Sequence, residues 1–102
     1  MFGFIKKLFG PPVDYKKLLA EGALIIDVRS PGEFNSGSVK GAKNIPVDQI
    51  RSKTAELQKK GKPVILICRS GARAGMAKNI LKAAGIEAYN GGSWNGFQLK
   101  IS

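Results

Sequence analysis

The sequence has no histidine, a single cysteine and only seven acidic residues among its 102. Without histidine, a Cys–His nucleophile pair of the protease type is excluded. A lone cysteine cannot close an internal disulfide, so a small secreted scaffold held by disulfides is excluded too. No apolar run reaches the length of a membrane span, and lysines interrupt the apolar start, which therefore lacks the core of a signal peptide. We expect a cytoplasmic protein.

Positive charge dominates the composition and surrounds the cysteine. Seventeen Lys and Arg against seven Asp and Glu give a net charge of +10. Between Glu56 and Glu87 there is no acidic residue, but there are basic ones at positions 59, 60, 62, 69, 73, 78 and 82. Such a field suits an anionic substrate, an acidic partner protein, nucleic acid or an anionic membrane surface, and charge alone does not choose among them.

Strand and helix patterns alternate along the chain. Length and composition predict an N-terminal amphipathic segment over residues 1–12 and one domain over residues 13–102. Buried strands are predicted at 23–28 and 63–67 and a short strand at 86–89, with Gly91-Gly92 as a turn. Helices are predicted over 13–19 with a start near Asp14, from Ser30-Pro31, within 47–60, over 72–84 and as a final turn at 94–97. In the 72–84 helix the predicted apolar stripe comprises Met76, Ala77, Ile80, Leu81 and Ala84. This alternation predicts an α/β fold with a parallel sheet covered on both faces.

The segment Cys68-Arg69-Ser70-Gly71-Ala72-Arg73 joins the second buried strand to an amphipathic helix. Ligands of open α/β sheets bind beyond the carboxyl ends of the strands, where Cys68 is predicted to lie. The helix N-terminus directs its unpaired N–H groups at this loop, and Gly71 lets the backbone curl around an anion. These features, together with Arg69 and Arg73, favour the thiolate, which is the nucleophilic form of cysteine.

This loop resembles the active-site loop of rhodaneses, and three further segments agree in order and spacing. Residues 24–34 resemble the family's Asp-x-Arg-x-x-x-Glu-Phe segment, with Asp27, Arg29 and Glu33 at the matching positions. The others are Gly41-Ala42-x-Asn44-Ile45-Pro46 and Gly91-Gly92. Together they cover about residues 13 to 95. The resemblance implies a rhodanese-like three-layer domain.

It also implies a thiosulfate sulfurtransferase that needs no cofactor or metal. Cys68 would take a sulfane sulfur from thiosulfate or a similar anionic donor as a persulfide, and pass it to cyanide, a small thiol or a protein thiol. The loop residues Arg69, Ser70, Gly71, Ala72 and Arg73 would bind the donor through backbone amides and guanidinium groups. Asp27, Arg29 and Glu33 are interpreted as structural, with Arg29 paired to a carboxylate and Asp27 hydrogen-bonded near the loop. Trp94 and Phe97 are interpreted as core or pocket wall.

Loop length separates this interpretation from phosphatases and arsenate reductases, which have a Cys-x5-Arg loop. Here four residues separate Cys68 from Arg73, a tighter cradle that suits one sulfur atom. The chain departs from many rhodaneses in having Gly37-Ser38-Val39 where they have Gly-His-Ile. Its tryptophan also follows the double glycine more closely, and its terminal helix is short.

Two other classes of function stay open. The domain could chiefly carry a persulfide and dock an acidic partner such as a thioredoxin-like protein, with little thiosulfate activity. Alternatively, the apolar residues among 1–9 could make weak contact with a membrane surface. We do not expect nucleic acid as a partner, and we expect a monomer.

Overall fold

Helices and strands alternate through residues 12–102, the part of the chain that the structure, a computed structural model, describes. The elements are α1 (Tyr15–Ala20), β1 (Leu24–Asp27), α2 (Pro31–Asn35), β2 (Lys43–Asn44), α3 (Thr54–Lys60), β3 (Val64–Cys68), α4 (Ala72–Ala83), β4 (Ala88–Ser93) and α5 (Trp94–Ile101). Two 3₁₀ turns, Val47–Gln49 and Arg51–Lys53, precede α3. The predicted amphipathic segment, apart from Pro12, lies outside the described residues. No helix in the described part has the length and apolar character needed to cross a bilayer.

The four strands form one parallel sheet in the order β2-β1-β3-β4. Strand β3 is central and pairs with β1 on one side and β4 on the other. Cys68, its last residue, lies opposite Ser93 of β4. Because all strands are parallel, their carboxyl ends meet at one edge of the sheet, and Cys68 lies at this edge.

The core lies on both faces of the sheet, and every residue of β3 is buried. Residues of a strand point alternately to opposite faces, so Leu66 and Ile67 enter different clusters. One cluster joins Ile26, Val28, Val64, Leu66 and Cys68 to Leu57 of α3 and to Ala74, Ala77 and Leu81 of α4. The other joins Ile25, Ile65 and Ile67 to Tyr15, Leu18 and Leu19 of α1 and to Phe97 of α5. Burial stabilises the fold by about 1.5–3 kcal/mol for each large aliphatic side chain. The predicted three-layer α/β architecture is confirmed.

The predicted helix starts at Asp14 and Ser30 are confirmed by their caps. The Asp14 carboxylate accepts a hydrogen bond from the Lys17 N–H at 3.1 Å. The Ser30 hydroxyl accepts from the Glu33 N–H, and the Glu33 carboxylate accepts from the Ser30 N–H, which completes a capping box around Pro31 at the first helical position. These caps satisfy N–H groups that the first helical turn leaves without partners.

The predicted turn at Gly91-Gly92 is wrong, because both glycines belong to β4. The pairing of β3 with β4 shifts between Leu66 and Ile67, which oppose Asn90 and Gly92, so the strand contains a bulge. A Cβ on Gly91 would lie 2.9 Å from the Ile67 side chain, and Gly92 has a φ of +83°. Glycine is therefore required here by close packing and by a left-handed conformation inside a strand.

The predicted apolar stripe of α4 is wrong at Met76, which is 54% exposed. The fully buried residues of the helix are Ala74, Ala77 and Leu81. Successive residues of a helix are rotated by about 100°, so the Met76 side chain points about 100° away from that of the buried Ala77. The helix therefore packs on the sheet through Ala74, Ala77 and Leu81 rather than through Met76. Helix α5 is longer than the single turn predicted.

Candidate active site

Cys68 lies at the carboxyl edge of the sheet, at the end of β3, and is 1% exposed. The loop of residues 69–71 carries the chain from this strand to the N-terminus of α4. Burial of the strand therefore fixes the cysteine, while the loop and the helix decide what its sulfur contacts.

Two backbone N–H groups donate hydrogen bonds to the sulfur of Cys68. The Gly71 N–H lies 2.9 Å from Sγ, and the Ala74 N–H lies 3.4 Å from it. Gly71 has a φ of +98°, a conformation that residues with a Cβ rarely adopt, and this curls the loop around the sulfur. Negative charge on Sγ is thus stabilised by these donors and by the positive end of the α4 dipole.

The sulfur also serves as the N-cap group of α4. Gly71 occupies the N-cap position and has no side chain to accept from the helix. Ala74 is the third residue of the helix, the position whose N–H an N-cap side chain ordinarily satisfies. The amides predicted for the cradle were those of residues 69–73. Ala74 was missed, and the only available signal was its place in the first turn after a glycine cap.

Arg73 forms a two-bond ion pair with Glu33. The guanidinium nitrogens lie 2.7 and 3.0 Å from the two carboxylate oxygens, and each side chain is about one-third exposed. The hydrogen bond from Arg73 is the main reason why the pKa of Glu33 is lowered to about 2. The same bond is the main cause of the raised pKa of Arg73, with a smaller contribution from the charge of Cys68. Arg73 is therefore within electrostatic reach of the sulfur but is held by a carboxylate.

The remaining predicted binding residues of the loop point their side chains outward. Arg69, Ser70 and Ala72 are exposed. The hydrogen bonds of the described residues show none from these three side chains to the sulfur. Their predicted role in binding a donor stays a prediction, and Arg69 is the loop arginine that Glu33 does not engage.

Asp27 and Arg29 form a buried pair beside the site, 0% and 4% exposed. The Arg29 guanidinium donates to both carboxylate oxygens of Asp27 at 2.7–3.0 Å, as well as to the carbonyls of Glu33 and Gly37. Its central carbon lies 4.9 Å from the centroid of the Trp94 ring. Among the described residues, the Asp27 carboxylate bonds only to Arg29 and not to the cysteine loop. The expected carboxylate pairing of Arg29 is present, and Trp94 forms a wall against this arginine.

Asn90 is a second residue that the sequence interpretation missed. Its side-chain amide donates to the Gly71 carbonyl at 3.0 Å and accepts from the Gly92 N–H at 2.9 Å. A polar residue before two glycines is the only sequence signal, and it fits an ordinary turn equally well. Within residues 12–102, no group of three acidic or cysteine side chains is placed to hold a metal ion.

Comparison with known proteins points to one family. Residues 11–100 match the sequence model of the rhodanese-like domain. The chain is 42% identical to the uncharacterized protein YqhL of Bacillus subtilis over 69 residues, and this alignment covers 67% of this chain and 54% of that protein. It is 36% identical over 61 residues to the thiosulfate sulfurtransferase PspE of Escherichia coli, 59% of each. The chain thus spans little more than half the length of these relatives.

Solved structures agree with the sequence matches. A rhodanese with anions from E. coli superimposes with a TM-score of 0.66 and 30% identity, covering 72% of this chain and 89% of that one. A human single-domain sulfurtransferase superimposes with a TM-score of 0.67 and 27% identity, covering 87% of this chain and 93% of that one. Both are similar over most of their own length.

Proposed function

Since the chain belongs to the rhodanese-like domain family, we propose that it moves a sulfane sulfur from thiosulfate or a similar donor to a thiophilic acceptor through a Cys68 persulfide. The observation that carries this proposal is the pair of N–H groups, from Gly71 and Ala74, that converge on Sγ. Similar relatives named as sulfurtransferases add support.

In the first step the Cys68 thiolate attacks the outer sulfur of thiosulfate. A sulfur–sulfur bond forms to Cys68, the sulfur–sulfur bond within thiosulfate breaks, and sulfite leaves with the bonding electron pair. No proton has to move in this step, so the reaction does not need a histidine as a general base. The backbone N–H groups stabilise the charge left on the persulfide without binding it covalently.

In the second step the acceptor attacks the outer sulfur of the persulfide. Cyanide would leave as thiocyanate, and a thiolate would leave as a new persulfide, with the Cys68 thiolate regenerated in both cases. Because the chain has one cysteine, it cannot displace the sulfur internally as a disulfide. The acceptor must therefore be another molecule.

A second candidate is a persulfide carrier that has little activity with thiosulfate. The ion pair between Arg73 and Glu33 favours it, because a guanidinium held by two carboxylate bonds is less available to a dianion. The basic surroundings of Cys68 would then serve an acidic partner bearing a thiol, such as a thioredoxin-like protein.

The two candidates differ in how readily they use thiosulfate, and one pair of assays separates them. One assay measures thiocyanate formation from thiosulfate and cyanide. The other measures sulfur transfer to a thioredoxin-type thiol from protein that already carries the Cys68 persulfide. We expect both for the wild type and neither for Cys68→Ser, whose melting temperature is measured to show that it folds. Transfer to the protein thiol with little thiocyanate would favour the carrier. Absence of both reactions would overturn sulfur transfer.

A further inference from the structure

Asn90 lies at the bulge of β4, directly beside the loop that holds the cysteine. The bulge depends on Gly91 and Gly92, which allow the strand to pack closely and then turn in a left-handed conformation. The Cα of Gly92 would lie 3.5 Å from a Cβ on Gly71, so the bulge and the cysteine loop are in contact.

The Asn90 side chain bridges these two segments. Its Nδ2 donates to the Gly71 carbonyl, and its Oδ1 accepts from the Gly92 N–H, at 3.0 and 2.9 Å. The Gly71 carbonyl also accepts from the Gly75 N–H in the first turn of α4 at 2.9 Å. Gly75 permits the approach, since a Cβ there would lie 3.3 Å from Nδ2. Both acceptor positions of the Gly71 carbonyl are therefore used.

Gly71 is also the residue whose N–H makes the shortest bond to Sγ. Its φ of +98° is open to glycine but not enforced by it, because glycine populates many conformations. An additional contact must select this one. Asn90 supplies a donor from β4, which is paired with β3 on the other side of the cysteine loop.

We propose that Asn90 is a positioning residue, which holds Gly71 so that its N–H points at the sulfur of Cys68. Among the described residues, the Asn90 side chain makes no hydrogen bond to the sulfur, and it acts through Gly71. The consequence for sulfur transfer rests on the proposed function, whereas the consequence for the reactivity of Cys68 does not.

The test measures the rate of Cys68 alkylation by iodoacetamide from pH 5 to pH 10, and the midpoint is the pH at which this rate is half its maximum. The melting temperature and the rate of persulfide formation from thiosulfate are measured for the same variants. Two variants remove the bridge: Asn90→Ala, and Asn90→Ser, whose shorter side chain cannot span the contacts. Loss of a well-aimed donor moves the midpoint of alkylation up by about half to one pH unit. Persulfide formation slows by about threefold to tenfold.

Two controls distinguish positioning from a general structural effect. Asn79→Ala makes the same substitution at an exposed position of α4. Tyr15→Phe removes the hydroxyl that donates to the Asn90 carbonyl at 3.1 Å, and leaves the bridge intact. Neither control shifts the alkylation midpoint, even if Tyr15→Phe lowers the melting temperature.

The proposal is overturned if both Asn90 variants keep the wild-type midpoint, or if the controls shift it equally. Its failure is distinguishable from failure of the proposed function. A wild-type protein that alkylates normally but never takes up sulfur would defeat sulfur transfer, and the alkylation midpoints would still decide the role of Asn90.

Discussion

At the scale of single residues, the chemistry of the site depends more on backbone than on side chains. The hydrogen bonds to Sγ among the described residues come from the Gly71 and Ala74 N–H groups. A motif of side-chain types could predict Cys68 and Gly71, which have special chemistry and conformation. It could not predict Ala74, because every residue offers the same N–H and only the fold decides which one reaches the sulfur.

The pairing of Arg73 leads to a prediction about the donor. Glu33→Gln removes the carboxylate charge but keeps a side chain that can complete the capping box with Ser30. Arg73 is then released to bind an anion. We expect the KM for thiosulfate to fall by about threefold to tenfold, measured at low salt where charge interactions are least screened.

The matched control is Glu56→Gln, an exposed acid in the first turn of α3. It removes the same charge away from Arg73 and leaves the KM near the wild-type value. A rise of the KM in Glu33→Gln would contradict the account, because it would mean that the carboxylate orients Arg73 toward the donor rather than competing with it.

The same ion pair makes stability depend on pH in acid. The folded pKa of Glu33, about 2, lies below the ordinary value of 4.5 because Arg73 favours the carboxylate. A lowered folded pKa contributes stability above the unfolded pKa, and this contribution is lost as the pH falls through the folded pKa. We expect the gap in melting temperature between wild type and Glu33→Gln to close between about pH 4.5 and pH 2. The gap is small and salt-sensitive, since the pair is partly exposed; a gap that persists at pH 2 would contradict the assignment.

At the scale of elements, the glycine-rich segments were the hardest to interpret from sequence. Gly91-Gly92 has the composition of a turn, and only the packing of Ile67 and Phe97 against Gly91 shows why it is a bulged strand. The opposite case is the Ser30-Pro31 start of α2, where a cap, a proline and Glu33 all act locally. The start of α2 could therefore be predicted from local signals, whereas the bulge, which depends on packing against a distant strand, could not.

The conformation of Gly71 gives a prediction at this scale. Both Gly71→Ala and Gly61→Ala place a Cβ at a positive φ, +98° and +62° respectively. Each costs about 1–2 kcal/mol in the free energy of unfolding, measured in urea. Persulfide formation slows by about tenfold in Gly71→Ala alone, because only this change disturbs the N–H that donates to the sulfur. Equal slowing in both variants would show that the loop conformation has no special role.

At the scale of the whole molecule, Arg29 joins parts of the chain that are distant in sequence. It binds Asp27 of β1 and the carbonyls of Glu33 and Gly37, and it lies over Trp94 of α5. The resemblance marked Arg29 as structural and paired with a carboxylate. Its stacking on Trp94 could not be predicted, because no local pattern relates positions 65 residues apart.

Removal of this arginine side chain would leave the buried Asp27 carboxylate without a charged partner, with only the backbone N–H of residue 29 still donating to it. We expect Arg29→Met to lower the free energy of unfolding by about 3–5 kcal/mol. That is a large share of the 5–15 kcal/mol that stabilises a typical domain. The control Arg51→Met, at an exposed position, changes it by about 0.5 kcal/mol or less. Equal losses in the two variants, measured in urea, would show that the buried pair contributes no more to stability than an exposed arginine does.

If Cys68 carries a sulfane sulfur, intact mass spectrometry detects the added atom. The protein is incubated with thiosulfate and separated from small molecules, and its intact mass is then measured. We expect that wild type gains the mass of one sulfur atom, that a reducing thiol removes it, and that Cys68→Ser gains nothing. A wild-type protein whose mass stays unchanged, or a Cys68→Ser protein that gains the same mass, would contradict it.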